Sequence, residues 1–221
     1  MFPKTEIVVT EDGSPSLFVP ELKEQYHSRF GAITESMHIY IGLGLHAIRS
    51  QNVSIFEVGF GTGLNAFLTL TESVTAGKTI MYDSIEFYPI SKEIAGKLDY
   101  PSLVKGSDPI LYTKLHETEW EKEISILPGF TLRKLKADFS SYIFDRKYDL
   151  VYFDAFAPLV QPEMWTQERF DRISGALNPG GIFVTYSAMG EIRRRLIASG
   201  LVVKRLPGPP GKREILQAFK P

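Results

Sequence analysis

Ten residues, Ile55-Phe56-Glu57-Val58-Gly59-Phe60-Gly61-Thr62-Gly63-Leu64, constrain the fold of this chain more than any other stretch. An apolar run ends in three glycines spaced two apart, and a helical pattern begins at once. That order describes a buried strand, a tight turn and a helix whose free backbone N–H groups face a ligand. Glycine belongs where the backbone takes positive φ or where a ligand must come within contact distance. The spacing discriminates between ligands. A dinucleotide fingerprint needs its third glycine at the sixth position of the motif, and that position is Leu64. A dehydrogenase is therefore the weakest reading. The turn alone also fits a helix–strand corner in some other α/β protein, so its neighbours decide.

Residues 1 to 25 carry turn chemistry at Asp12-Gly13-Ser14-Pro15 and a short apolar segment, which predicts a hairpin or an irregular lead-in. A helical stretch then runs through His46, with Ile39, Leu43 and Ala47 at fourfold spacing and Thr34 or Ser36 as its cap. The polar and aromatic residues Tyr26 to Ser36 can form a wall of the site or simply pack on the sheet. Beyond the glycine turn, helix 65–74 leads to a second strand over 79–87. It ends in Glu86, 29 residues after Glu57. An acid there can accept hydrogen bonds from ribose hydroxyls, because a carboxylate is acceptor-only and takes both at once.

A third strand over 130–137 closes on Asp138-Phe139, an acid–aromatic pair suited to an adenine amine and ring, or alternatively to a helix cap. The fourth strand, 148–156, is apolar enough for burial on both faces and carries Asp154 near its end. A helix over 161–177, a fifth strand over 182–187, a helix over 190–199 and a closing hairpin (201–206 and 214–219) complete the pattern. The expected architecture is α/β: a mostly parallel, seven-stranded Rossmann-like sheet with a terminal antiparallel hairpin. The expected division is a single domain over 1–221, with an N-terminal extension and helix over 1–50 and the core over 51–221.

Composition narrows the function. The 221 residues are 43% hydrophobic and 23% charged, enough for a sizeable core. With no cysteine there are no disulfides, thiolate metal sites or cysteine nucleophiles, which suits a reducing cytoplasm. The four histidines show no metal-ligand spacing, so no metal is expected. No signal peptide and no membrane span are expected either. The net charge of −1 is uneven: eight Lys/Arg against two Glu give +6 from Gly190 to Pro221 and leave −7 for the rest. An acidic body with a basic end permits a polyanion to dock on one side.

Several motifs together resemble one family. They are Asp12-Gly13-Ser14, Tyr26-His27-Ser28, Gly31-Ala32, Thr34-Glu35-Ser36 and Glu57-Val58-Gly59-Phe60-Gly61-Thr62-Gly63-Leu64-Asn65. They continue with Tyr152-Phe153-Asp154-Ala155-Phe156-Ala157-Pro158, Gln161-Pro162-Glu163-Met164-Trp165 and Leu206-Pro207-Gly208-Pro209-Pro210-Gly211-Lys212-Arg213-Glu214. Spread along nearly the whole chain, they resemble the tRNA wobble-uridine methyltransferases of the MnmD type, also found as the N-terminal half of bifunctional MnmC. The resemblance implies a class I methyltransferase fold. It implies S-adenosyl-L-methionine as cofactor, tRNA as partner, and methylation of the primary amine of a 5-aminomethyl-2-thiouridine. The flavin-dependent oxidoreductase half of bifunctional members is expected to be absent, and flavin with it.

Carried onto this sequence, the resemblance assigns Glu57, Gly59, Gly61, Asn65, Glu86, Phe87, Asp138, Phe139 and Asp154 to the cofactor. Asp154 is the catalytic candidate, as an orienter of the amine and, as a weaker hypothesis, its base. Phe156, Pro158 and Tyr186 are candidates to line the substrate site, where aromatic faces favour a cation. Arg193, Arg194, Lys212 and Arg213 are assigned to tRNA phosphates. Rival readings are an aminopropyltransferase, a methyltransferase acting on another small amine, and a non-catalytic cofactor- or tRNA-binding module.

Overall fold

The computed structural model describes residues 4–221. A small antiparallel sheet comes first, from β1 (Glu6–Val9), β2 (Pro15–Val19) and β3 (Glu24–Gln25). Helix α1 (Ala32–Ser36) runs directly into a π-helical turn, Met37–Gly42, and then a 3-10 turn, Leu45–Ala47. The single long helix expected here is thus three short pieces. Gly44 explains the break: a Cβ there would collide with the Tyr40 carbonyl oxygen and crowd the Tyr152 ring. The expected caps, Thr34 and Ser36, are corrected too. Asp12 Oδ2 accepts from the Thr34 N–H at 2.9 Å, and Ser14 Oγ accepts from the Ala32 N–H at 3.0 Å. The hairpin turn therefore caps α1 from a distance, satisfying N–H groups that the first helical turn leaves free.

The main sheet contains β4 (Asn52–Val58), β5 (Thr79–Ile85), β6 (Glu123–Leu127), β7 (Phe130–Leu135), β8 (Tyr148–Phe153), β9 (Leu177–Thr185), β10 (Val202–Pro207) and β11 (Glu214–Phe219). Their order is β10-β11-β9-β8-β4-β5-β7-β6. Strands β7, β5, β4, β8 and β9 are parallel; β11 and β10 close one edge antiparallel. The sheet has eight strands rather than seven. The extra strand, β6, pairs antiparallel with β7 at the opposite edge, which five residues with two exposed glutamate and serine positions scarcely announce.

Helix α2 (Leu64–Ala76) follows β4, and α3 (Lys92–Ala95), α4 (Tyr100–Leu103) and α5 (Pro109–Glu117) lie between β5 and β6. Helix α6 (Gln167–Ala176) precedes β9, and α7 (Gly190–Ala198) follows it. The expected helix over 161–177 is split: Pro162–Trp165 forms a 3-10 turn and Thr166 is extended before α6. Two cores cover the sheet. On one face Ile55, Leu150 and Tyr152 pack with α2, α5 and the π turn; on the other, Phe56, Val151 and Phe153 pack with α6 and α7. Period-two alternation along each strand assigns successive residues to opposite cores. A buried ion cluster ties β5 to β7, where Arg133 donates to both oxygens of Asp83 at 3.0 and 2.6 Å and Tyr148 donates at 2.7 Å.

Strand order reverses between β4 and β8. Ligands of open parallel sheets bind outside the carboxyl ends of the strands at that switch point.

Candidate active site

A cleft of about 570 Å³ opens at that point. Its floor is the glycine turn. Gly59 has φ +94°, and a Cβ there would lie 2.8 Å from the backbone oxygen of Asp154. Gly61 has φ +50°, and a Cβ there would lie 3.2 Å from the Tyr26 ring. Both positions thus demand glycine for conformation and for space. From below, the Tyr112 hydroxyl donates to the Thr62 carbonyl at 2.8 Å, and His116 Nε2 lies 3.0 Å from the same oxygen.

Glu86, just past β5, accepts from the Gly61 N–H at 3.0 Å and the Tyr88 N–H at 2.8 Å. Burial raises its pKa against these donors. Phe87 beside it is half-exposed at the cleft. Past β7, Asp138 accepts from the Ser140 N–H at 2.7 Å in a local turn with no helix to cap. Phe139 is only 3% exposed, its ring engaged with Phe56, Phe144 and Phe153, so little of it is open to the cleft it lines.

Asp154 stands just beyond β8. Its Oδ1 accepts from the Tyr40 hydroxyl at 2.6 Å and its Oδ2 from Asn65 Nδ2 at 2.8 Å. Burial, with a smaller push from Glu35, raises its pKa to about 7, while Tyr40, Asn65 and Lys212 pull it down. Phe156 meets Tyr26 edge to face at 5.1 Å between centroids. The Tyr186 hydroxyl donates to the Ala155 carbonyl at 2.8 Å, and Trp165 Nε1 donates to the Phe156 carbonyl at 2.8 Å.

The wall opposite comes from the first 36 residues. Tyr26, His27, Ser28 and Glu35 all line the cleft. Burial lowers His27 to about 4, leaving it neutral, with Nδ1 3.0 Å from Ser16 Oγ. Glu35 accepts from the Ser28 N–H at 2.8 Å and pairs with Lys212 Nζ at 2.8 Å. The loop between β10 and β11 fastens this wall. Gly211 lies flat against the Phe30 ring, His38 Nε2 is 2.8 Å from the Pro207 carbonyl, and Lys212 Nζ sits 4.9 Å over the Tyr186 ring.

Five sequence candidates lie elsewhere. Glu57 is 0% exposed beneath the turn, its Oε2 accepting from Ser84 Oγ at 2.6 Å. Pro158, Arg193, Arg194 and Arg213 are outside the cleft lining, and Arg194 and Arg213 are exposed. Lys212, grouped with those arginines by sequence, points inward instead. Tyr40 had no signal at all: it reads as one more aromatic in an apolar stretch, 114 residues from its partner.

The donor set fits S-adenosyl-L-methionine. Seven carboxylate side chains line the cleft against one amine, that of Lys212, which favours a cationic ligand. Glu86 retains acceptor capacity for a diol, and Asn65 Oδ1 is buried without a partner. Among the described residues no cluster of His, Cys, Asp or Glu is placed to hold a metal, and no helix is long and apolar enough to cross a membrane.

Comparison with known proteins agrees with this geometry. Residues 118–221 match a family described as S-adenosyl-L-methionine-dependent methyltransferase. The tRNA 5-methylaminomethyl-2-thiouridine biosynthesis bifunctional protein MnmC of Pseudomonas entomophila is 30% identical over 207 residues, covering 83% of this chain and 30% of that protein. The MnmC of Chromobacterium violaceum is 29% identical, covering 94% of this chain and 33% of that one. The chain thus spans about a third of the length of these curated relatives. The crystal structure of MNMC2 from Aquifex aeolicus superposes with a TM-score of 0.75 at 26% identity, over 98% of this chain and 70% of that one. Matched family, relatives and fold converge: the chain is an MnmD-like, S-adenosyl-L-methionine-dependent methyltransferase domain.

Proposed function

We propose that this domain methylates the primary amine of a 5-aminomethyl-(2-thio)uridine at the tRNA wobble position, giving the 5-methylaminomethyl form. The names of the relatives support the substrate, and the observation that carries the reading is Asp154, a carboxylate with both oxygens anchored, facing an acidic cleft. When bound, the cofactor supplies an electrophilic methyl group on a sulfonium. The chain's own residues position and dry the acceptor. Asp154 accepts a hydrogen bond from the amine and aims its lone pair, the contribution expected of a pre-organised site. With a pKa of about 7, Asp154 also matches a group that takes the ammonium's proton near neutral pH, leaving R–NH2 and a carboxylic acid. Glu86 takes the ribose hydroxyls, and Phe87 and Asp138 flank the adenine. Phe156 and Tyr186 flank the acceptor, while Pro158 borders its entrance.

Residues 1–221 act as one methyltransferase unit in this reading, the first 50 supplying a wall of the site. Arg193, Arg194 and Arg213 meet tRNA phosphates on the cytoplasmic substrate. Lys212 serves the cleft.

The test uses tRNA from cells whose wobble modification stops at the aminomethyl stage. Protein and methyl-labelled S-adenosyl-L-methionine are added, and the digested nucleosides are followed by mass and label. Label on the wobble nucleoside, absent with Asp154→Ala, is expected. No transfer while the cofactor demonstrably binds refutes the assigned substrate.

A further inference from the structure

Tyr40 is a buried phenol outside the cleft lining, yet it is joined directly to the one carboxylate on which the reaction depends. It sits in the π-helical turn Met37–Gly42, a rare geometry that is frequent at functional sites. Its ring packs against Tyr152 of β8 at 5.2 Å between centroids, and its hydroxyl donates to Asp154 Oδ1 at 2.6 Å. Asn65, at the start of α2, holds Oδ2. Two elements therefore hold the two oxygens of a carboxylate that lines the cleft, each oxygen keeping a further lone pair.

We propose that Tyr40 is a positioning residue for the acceptor amine, acting through Asp154: its hydroxyl fixes the carboxylate's orientation and stabilises its ionised form. This deepens the methyl-transfer reading and rests on it for the identity of the amine. Burial and the adjacent carboxylate hold the Tyr40 phenol well above its ordinary pKa, so it stays protonated and can only donate. A hydrogen bond to the charged form favours that form. The other groups facing Asp154 are Glu35 from α1, Lys212 from the β10–β11 loop, Tyr186 past β9, Glu57 from β4 and Tyr82 from β5. Of these, only Lys212 carries positive charge. Removing the Tyr40 hydroxyl thus leaves Asn65 and Lys212 to oppose burial.

The experiment is a titration of the protein labelled with 13C at aspartate carboxyls, the Asp154 resonance being the one lost in Asp154→Asn. In Tyr40→Phe the midpoint is expected to rise from about 7 by roughly one pH unit or more. The acid limb of kcat/KM for methyl transfer moves the same way. An unchanged midpoint in a folded Tyr40→Phe overturns the proposal, as does a uniform loss of kcat/KM with no displacement of the limb. If the wild type transfers no methyl group, the assigned substrate fails, while the carboxyl titration still decides the role of Tyr40. If Tyr40→Phe does not fold, 3-fluorotyrosine at position 40 supplies a stronger donor and is expected to lower the midpoint; no movement overturns the proposal.

Discussion

Glu57→Gln is expected to stabilise the ligand-free protein, and more so as pH rises. Glu57 is 0% exposed, has no cationic partner, and keeps Oε1 without a hydrogen bond. The Tyr82 hydroxyl and Asn65 Oδ1 are likewise buried and unpartnered. Burial, with the Asp154 charge adding to it, raises Glu57 from 4.5 to about 8. A raised folded-state pKa means that the native state holds a proton the unfolded chain releases. Stability from this group is fully present below pH 4.5 and is lost as pH rises through about 8. At ~1.4 kcal/mol per unit of pH, the loss by pH 7 is about 3 kcal/mol. Glutamine is the neutral isostere: its oxygen still accepts from Ser84, and its amide can donate toward the unpartnered oxygens. For a chain of this size about 3 kcal/mol corresponds to roughly 5–10 °C in Tm. Thermal unfolding of both proteins from pH 5 to 8.5, followed by circular dichroism, should show curves that nearly coincide at the acid end and separate steadily above it. Parallel curves, or a glutamine variant less stable throughout, would refute the reasoning.

Three further outcomes follow from the geometry. Gly59→Ala places a Cβ 2.8 Å from the Asp154 backbone oxygen at φ +94°, so calorimetry should show cofactor affinity down at least tenfold, or about 1.4 kcal/mol; unchanged affinity would mean that the turn is slack. Asp83→Ala removes the buried acceptor of Arg133 and Tyr148, leaving Arg133 paired with Asp145 alone, and should cost about 2–3 kcal/mol in urea unfolding, whereas a loss below about 1 kcal/mol would make the cluster ornamental. Arg193→Ala with Arg194→Ala should flatten the salt dependence of tRNA binding by roughly 1.5–2 in log–log slope, with cofactor affinity unaltered. An unchanged slope would place the phosphates elsewhere.

The sequence shows the frame of this molecule because the frame is made of local signals. The runs ending at Val58 and Phe153 are mostly apolar, those ending at Ile85 and Leu135 mix apolar with polar residues, and glycine and acidic residues punctuate their carboxyl ends. The acids Glu86, Asp138 and Asp154 therefore reach one cleft by topology alone. What escaped was set by long-range packing. Strand β6 pairs along the open edge of β7, and its own alternation, Glu123 and Ser125 outward with Ile124 and Ile126 inward, is too short to stand out in the charged segment around it. Lys212 has the composition of a surface residue, but Gly211 folds the loop onto Phe30 and turns the amine inward to Glu35. Glu57 belongs to the glycine motif yet faces the α2 side of the sheet, because β4 alternates and its neighbours Ile55 and Val53 face that side. Tyr40 depends on a π turn, which no residue pattern encodes.

The fastening between the β10–β11 loop and the N-terminal wall also orders events in time. Phe30, Glu35 and His38 leave the ribosome early, but the residues that hold them, Pro207, Gly211 and Lys212, are made about 170 to 180 positions later. Closing so long a loop carries an entropic cost that shorter pairings, β4 with β5 among them, do not meet. During synthesis the cradle for the methyl donor can therefore assemble around β4 and α2 well before the wall that faces the acceptor is secured. A nascent chain halted short of residue 207 lacks every one of these fastenings, so the ability to bind precedes the ability to enclose.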